Sequence, residues 1–229
     1  MPFLTAAWRH LIMANYEVDP ERLQSWVPIG TSLDLFEGKA YVSLVAFWFE
    51  NTKVLGIPVP WHRHFEEVNL RFYIKPNRDP SLRAVTFLKE IVPLSAIPLI
   101  ANTFFDERYV RMPMSHAFSE SSYRYGWGER QEHSISVAQT EPMTYPEKGS
   151  VAEFITEHYW GYAQGPKRTI EYHVVHEPWR SCCIQDYKIE VEFESLYGPT
   201  WAFLQDQQPS HVLLAEGSPV SVSFPGPLK

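Results

Sequence analysis

The chain has 229 residues, of which 45% are hydrophobic and 21% charged, with a formal net charge of −7. This is the composition of a folded globular chain rather than a disordered one. The excess of acidic groups excludes partners that need a basic surface to neutralise phosphates, so neither nucleic acid nor an anionic membrane is expected.

The first sixteen residues carry Arg9 and His10 where a secretory leader would be apolar, so the expected location is cytoplasmic. A first helix is marked by Asp19 as N-cap, Pro20 at the first helical position and a stripe of Leu23, Trp26 and Val27, ended by Pro28 and Gly30. Residues 33–36 and 40–49 read as a hairpin turning at Gly38-Lys39. Apart from Ser43, the second strand is apolar on both faces, which suits a barrel or a layered sheet. In the next strand, 65–74, alternation places Glu67, Asn69, Arg71 and Tyr73 on one face and Val68, Leu70, Phe72 and Ile74 on the other. A turn through 76–80 leads to a strand over 84–92. Residues 94–105 read as a helix that Pro98 must start or kink; this apolar run is too short to span a bilayer. Strands follow over 117–127 and 133–139. A second helix opens at Ser150 with a capping box closed by Glu153 and runs to about Trp160, with Phe154, Ile155, His158 and Tyr159 in its stripe. Strands over 169–176, 187–194, 212–215 and 220–224 complete an α+β chain, mainly antiparallel β with a few short helices. No linker interrupts it, so one domain over 1–229 is expected.

The polar face of the 65–74 strand has two readings: it looks into water, or it lines a cavity. A carboxylate, an amide and a guanidinium at steps of roughly 6.5 to 7 Å could grip a small polar ligand. Inside a cavity Arg71 would need a counter-charge, either Glu67, Glu90 or a bound anion. Trp48, Tyr73, Tyr159 and Trp160 are candidates to line the apolar part of such a pocket. Strand spacing puts His62 and His64 on one side, with His173 and His176 as further candidate ligands, but parity sets the first pair opposite Glu67, so no metal is expected. The adjacent Cys182 and Cys183 read as two buried thiols. No phosphate-binding glycine loop, nucleophile elbow or paired-cysteine pattern is present, and no cofactor is expected.

Several motifs in order give a resemblance. Trp8-Arg9-His10 through Asn15-Tyr16-Glu17-Val18-Asp19-Pro20 to Val27-Pro28, then Ala40-Tyr41-Val42-Ser43-Leu44-Val45, then Phe65-x-Glu67-x-Asn69-x-Arg71-x-Tyr73, and finally Phe154-Ile155-Thr156-Glu157-His158-Tyr159 resemble the acetoacetate decarboxylase-like superfamily, in particular its uncharacterised YqjF-like branch. His158 stands where many relatives have arginine. The resemblance implies an acetoacetate decarboxylase-like barrel or sheet fold. It also implies a pocket in which Arg9 matches a family arginine, Glu67 matches one of two glutamates, Ser43 replaces the other, and Lys89-Glu90 lies near an Arg-Glu pair. The decarboxylase acts through a Schiff-base lysine. At the corresponding place this chain reads Val92-Pro93-Leu94-Ser95-Ala96, so that nucleophile is missing. The expected function is binding of a small molecule, an organic acid, by Arg9, Glu67, Asn69, Arg71, Tyr73, Lys89 and Glu90. The alternative is an enzyme using Glu67 as general acid/base on a carbonyl or carboxylic acid compound. A homo-oligomer is compatible with the sequence.

Overall fold

A computed structural model describes residues 1–95, 105, 108–166 and 168–228. Seven strands form a closed ring: β1 (Leu4–Val18), β2 (Ala40–Val54), β3 (Phe65–Pro76), β4 (Ala84–Val92), β5 (Trp160–Gln164), β6 (Thr169–His176) and β7 (Pro219–Val222). Each pairs with its neighbour along the chain, and β1 closes the ring by pairing with both β2 and β7. An odd number of strands cannot alternate in direction all the way round. The mismatch falls between β4 and β5, which run parallel, with Trp160 opposite Ala84 and Gly161 opposite Val85. A parallel contact needs a long crossover, and residues 93–159 supply it.

Part of that crossover, with a strand from later in the chain, builds a second, antiparallel sheet from Met114–Phe118, Ser122–Trp127, His133–Ala138 and Asp186–Glu190. This sheet covers the outside of the barrel wall. Tyr125, Trp127 and Ile135 share one apolar core with Val42 and Leu44 of β2 and with Val68, Leu70, Phe72 and Ile74 of β3. The inner face of the same wall joins a different core, with Val45, Phe47, Phe65 and Tyr73. Every residue of β3 from Phe65 to Ile74 is therefore buried.

The short elements depart from expectation for local reasons. The first helix is a single 3₁₀ stretch, Pro20–Trp26, capped by the Asp19 side chain accepting from the Glu21 N–H at 2.9 Å. The expected first hairpin is divided. Thr31–Leu33 pairs with β3, not β2, while Phe36 and Lys39 bridge a tight turn whose central residues Glu37 and Gly38 have φ of 50° and 79°, the doubly left-handed form of a type I′ turn. Half of the capping box is present: Ser150 Oγ accepts from the Glu153 N–H at 3.2 Å, while the Glu153 carboxylate reaches one residue further back and accepts from the Gly149 N–H at 2.6 Å. Its helix, α1 (Val151–Thr156), ends sooner than its apolar stripe suggests because Trp160 already begins β5. The expected strand over 117–127 is a hairpin, and the one over 187–194 stops at Glu190 and gives way to α2 (Phe193–Tyr197). The helix expected over 94–105 lies largely outside the described residues. Among the described residues no helix is long and apolar enough to cross a membrane.

Candidate active site in the barrel interior

The second sheet decides which face of β3 turns into the barrel. With Val68, Leu70, Phe72 and Ile74 sealed outside, Glu67, Asn69, Arg71 and Tyr73 point inward. The first three, with Glu90 of β4, line a cavity of about 160 Å³.

Glu67 is 3% exposed and accepts from Asn69 Nδ2 at 3.0 Å and from the Tyr109 hydroxyl at 3.1 Å. Burial pushes its pKa up to about 7, against the opposing pull of those two hydrogen bonds and of the Arg71 charge. Arg71 is 8% exposed, and its guanidinium makes no hydrogen bond or ion pair with any described residue. Its carbon stands 5.8 Å from the centroid of the Tyr73 ring. Asn69 Oδ1 is likewise buried without a donor.

Tyr73 does not line the cavity. Ser43 Oγ donates to Asn15 Oδ1 at 2.6 Å, so its 2.6 Å contact with the Tyr73 hydroxyl is one in which tyrosine donates. The buried Tyr73–Ser43–Asn15 chain ties β3 to β2 and β1, and the Tyr73 ring packs on His158 at 4.6 Å.

His158, just after α1, is a cavity residue that alternation alone does not reveal. Its ring is buried and neither nitrogen has a hydrogen-bond partner; Nε2 stands 3.6 Å from Asp34 Oδ2, within electrostatic reach but too far for a direct bond. Burial pushes its pKa down to about 4, Asp34 opposing and Arg83 and Arg71 adding to the shift. At neutral pH it is an uncharged imidazole. His176 is also at the wall, sandwiched between Tyr159 at 4.6 Å and Trp179 at 4.3 Å.

Besides Tyr73, two further expected site residues lie elsewhere. Arg9 is not at the cavity wall, where Trp8 stands instead; it is one-third exposed and pairs with Glu50 at 3.6 Å. The register of β1 against β2 shifts between Arg9 and Ile12, with His10 in the left-handed region at φ 55°. Lys89 is turned away by a bulge in β4. Leu70 opposes Lys89 but Arg71 opposes Phe87, so Leu88 is the extra residue, and Phe87 and Glu90 both reach the cavity. The Lys89 ammonium instead donates to the Leu196 carbonyl and lies 5.6 Å from the centre of the Tyr197 ring. Of the candidate apolar lining, Trp160 is at the wall, whereas Trp48 packs on His116 at 4.3 Å. His64 stacks on Trp48 and His173 on Trp160. Of the two thiols expected to be buried, Cys182 is, but strand alternation turns its neighbour Cys183 out to an exposed position. Among the described residues no three histidine, cysteine or acidic side chains are grouped to hold a metal.

The model of the DUF2071 family of uncharacterized conserved proteins matches residues 5–219, and the chain belongs to that family. The uncharacterized protein YqjF of Bacillus subtilis is 27% identical over 177 residues, 75% of this chain and 72% of the relative. The acetoacetate decarboxylase of Legionella pneumophila superposes with a TM-score of 0.72 at 10% identity, covering 100% of this chain and 88% of that one. The enduracididine biosynthesis enzyme MppR complexed with pyruvate superposes with a TM-score of 0.68 at 12% identity, covering 100% and 91%. The fold is that of the acetoacetate decarboxylase-like proteins.

Proposed function

We propose, taking membership of this family and its decarboxylase-like fold as the premise, that the chain binds a small organic acid inside the barrel with the acid's carboxylate against Arg71. The observation that carries the reading is the guanidinium without a close counter-ion: Arg71 is buried in the cavity wall, its Nε has no hydrogen-bond partner, and among the described residues Glu67 acts on its charge through space and without an ion pair. Such a charge costs several kcal/mol unless an anion meets it, and a carboxylate can do so with two parallel hydrogen bonds. Asn69 Oδ1 and the His158 nitrogens, also without partners, offer an acceptor and a donor to further polar atoms of the ligand. No lysine is among the described cavity-lining residues, and the sequence has none between Lys89 and Lys148. This supports a reading without a Schiff base. That a solved neighbour is complexed with pyruvate supports an acid as the class of occupant.

The test is calorimetric titration with a panel of carboxylic acids including pyruvate and acetoacetate. The parent chain binds members of the panel, and Arg71→Met weakens that binding by about 30-fold or more. The ligand-free variant stays folded, because Arg71 makes no hydrogen bond or ion pair with a described residue and gives up only its through-space pull on Glu67. Undiminished binding by Arg71→Met sinks the proposal.

One observation favours a second reading. A carboxyl group poised at about 7 beside a cation is suited to move a proton to or from a bound carbonyl compound at neutral pH. If the chain is an enzyme, Glu67→Gln abolishes turnover while ligand binding persists; turnover that survives the substitution removes Glu67 from that role.

A further inference from the structure

The cavity has more wall than an acid group can use. Among the described residues that line it, Arg71 is the one arginine and no lysine accompanies it. Its polar groups cluster around the inward row of β3, while much of the remaining surface is aromatic. Phe49 stacks on Phe65 with ring centres 4.4 Å apart, and Phe3, Phe105 and Tyr172 form a chain of edge-to-face contacts at 5.0 and 5.2 Å. All five of those rings face the cavity, as does Phe87 beside Arg71. A short hydrophilic acid would satisfy Arg71 and leave this surface in contact with water or void, forgoing the apolar burial it offers.

We infer that the occupant is a monocarboxylic acid with a hydrophobic body, aromatic or branched, held by one carboxylate at Arg71 and by aromatic packing beyond it. This rests on the organic-acid reading and narrows it. A single cationic side chain at the wall matches one carboxylate; a second would be buried without a counter-charge, so dicarboxylates are rejected. The size follows from the volume. A cavity of about 150 Å³ lined by apolar side chains takes up a benzene-sized molecule, so about 160 Å³ accommodates a body of roughly six carbons.

The experiment titrates the full chain with acetate, pyruvate, butanoate, 4-methylpentanoate, phenylacetate and succinate, against both the parent and Arg71→Met, with Phe87→Ala as a wall variant. Affinity rises about threefold to fourfold for each added methylene up to the size limit. Phenylacetate and 4-methylpentanoate bind at least about tenfold tighter than acetate or pyruvate, succinate binds no better than acetate, and the whole series collapses in Arg71→Met. Phe87→Ala shifts the optimum toward the bulkier acids. A flat or inverted series in which small polar acids bind through Arg71 overturns the inference and leaves the organic-acid reading standing. Tighter binding of succinate than of butanoate also overturns it. If no acid in the series binds at all, both fail.

Discussion

Glu67 and His158 face one cavity and are shifted by the same cause, burial, in opposite directions: the carboxyl up to about 7 from 4.5, the imidazole down to about 4 from 6.5. The raised carboxyl contributes stability that is fully present below about pH 4.5 and lost as the pH rises through 7. The depressed imidazole contributes stability that is present above about pH 6.5 and lost as the pH falls through 4. Each is worth about 3 kcal/mol, so between pH 4.5 and 6.5 they largely cancel. Chemical denaturation across pH exposes them one at a time. Relative to the parent, His158→Gln gains stability toward low pH and Glu67→Gln loses it. Curves for both variants that run parallel to the parent would show that neither group titrates as its burial requires. The same argument reaches the ligand: above pH 7 an ionised Glu67 opposes a bound carboxylate, so acid affinity falls there and Glu67→Gln flattens the fall. Of this set the sequence displayed Glu67, Asn69 and Arg71 through alternation alone. It left Arg71's need for an anion open, and it showed His158 only as part of a helix stripe that the helix does not reach.

At the scale of single elements, irregularities decide which side chains reach the cavity. One residue of slip in β4 sends Lys89 out and brings Phe87 and Glu90 in, and the register shift in β1 exchanges Arg9 for Trp8. Neither position carries a glycine or proline to announce it, which is why regular alternation could not place Arg9 or Lys89. The strand β5 was illegible for a related reason. Its five residues follow a capped helix without a break in the apolar pattern, and its pairing with β4 is a long-range contact. Its Gly161 does have a readable purpose in the structure. A Cβ there would sit 2.2 Å from the Tyr172 ring on the neighbouring strand, and both residues line the cavity. Gly161→Ala must displace that ring, so it is expected to lower stability by about 1 to 3 kcal/mol and to change acid affinity as well. Denaturation and titration of the same variant check both. An alanine accepted with neither effect would mean that the close approach of Tyr172 does not shape the site.

For the whole molecule, the arrangement that matters is two cores on opposite sides of one wall. The doubly apolar character of β2 was visible in the sequence and implied cover on both faces. The source of that cover was not, because the second sheet is assembled partly from the β4–β5 crossover and partly from Asp186–Glu190, far along the chain. The outer core holds the apolar face of β3 in place, and only the inner face lines the cavity. Stability and binding should therefore separate by side. Trp127 is fully buried in the outer core and does not line the cavity. Trp127→Ala is expected to cost about 3 to 5 kcal/mol, while acid affinity, measured where the variant is still folded, stays within about twofold because the wall between the two cores is intact. Phe65, buried at the cavity wall beside Glu67, should behave differently: Phe65→Ala removes core packing and ligand contact together, and both quantities fall. If Trp127→Ala instead weakens binding as much as Phe65→Ala does, β3 is not a rigid partition. The polar row inside the barrel would then depend on the second sheet for its geometry as well as for its cover.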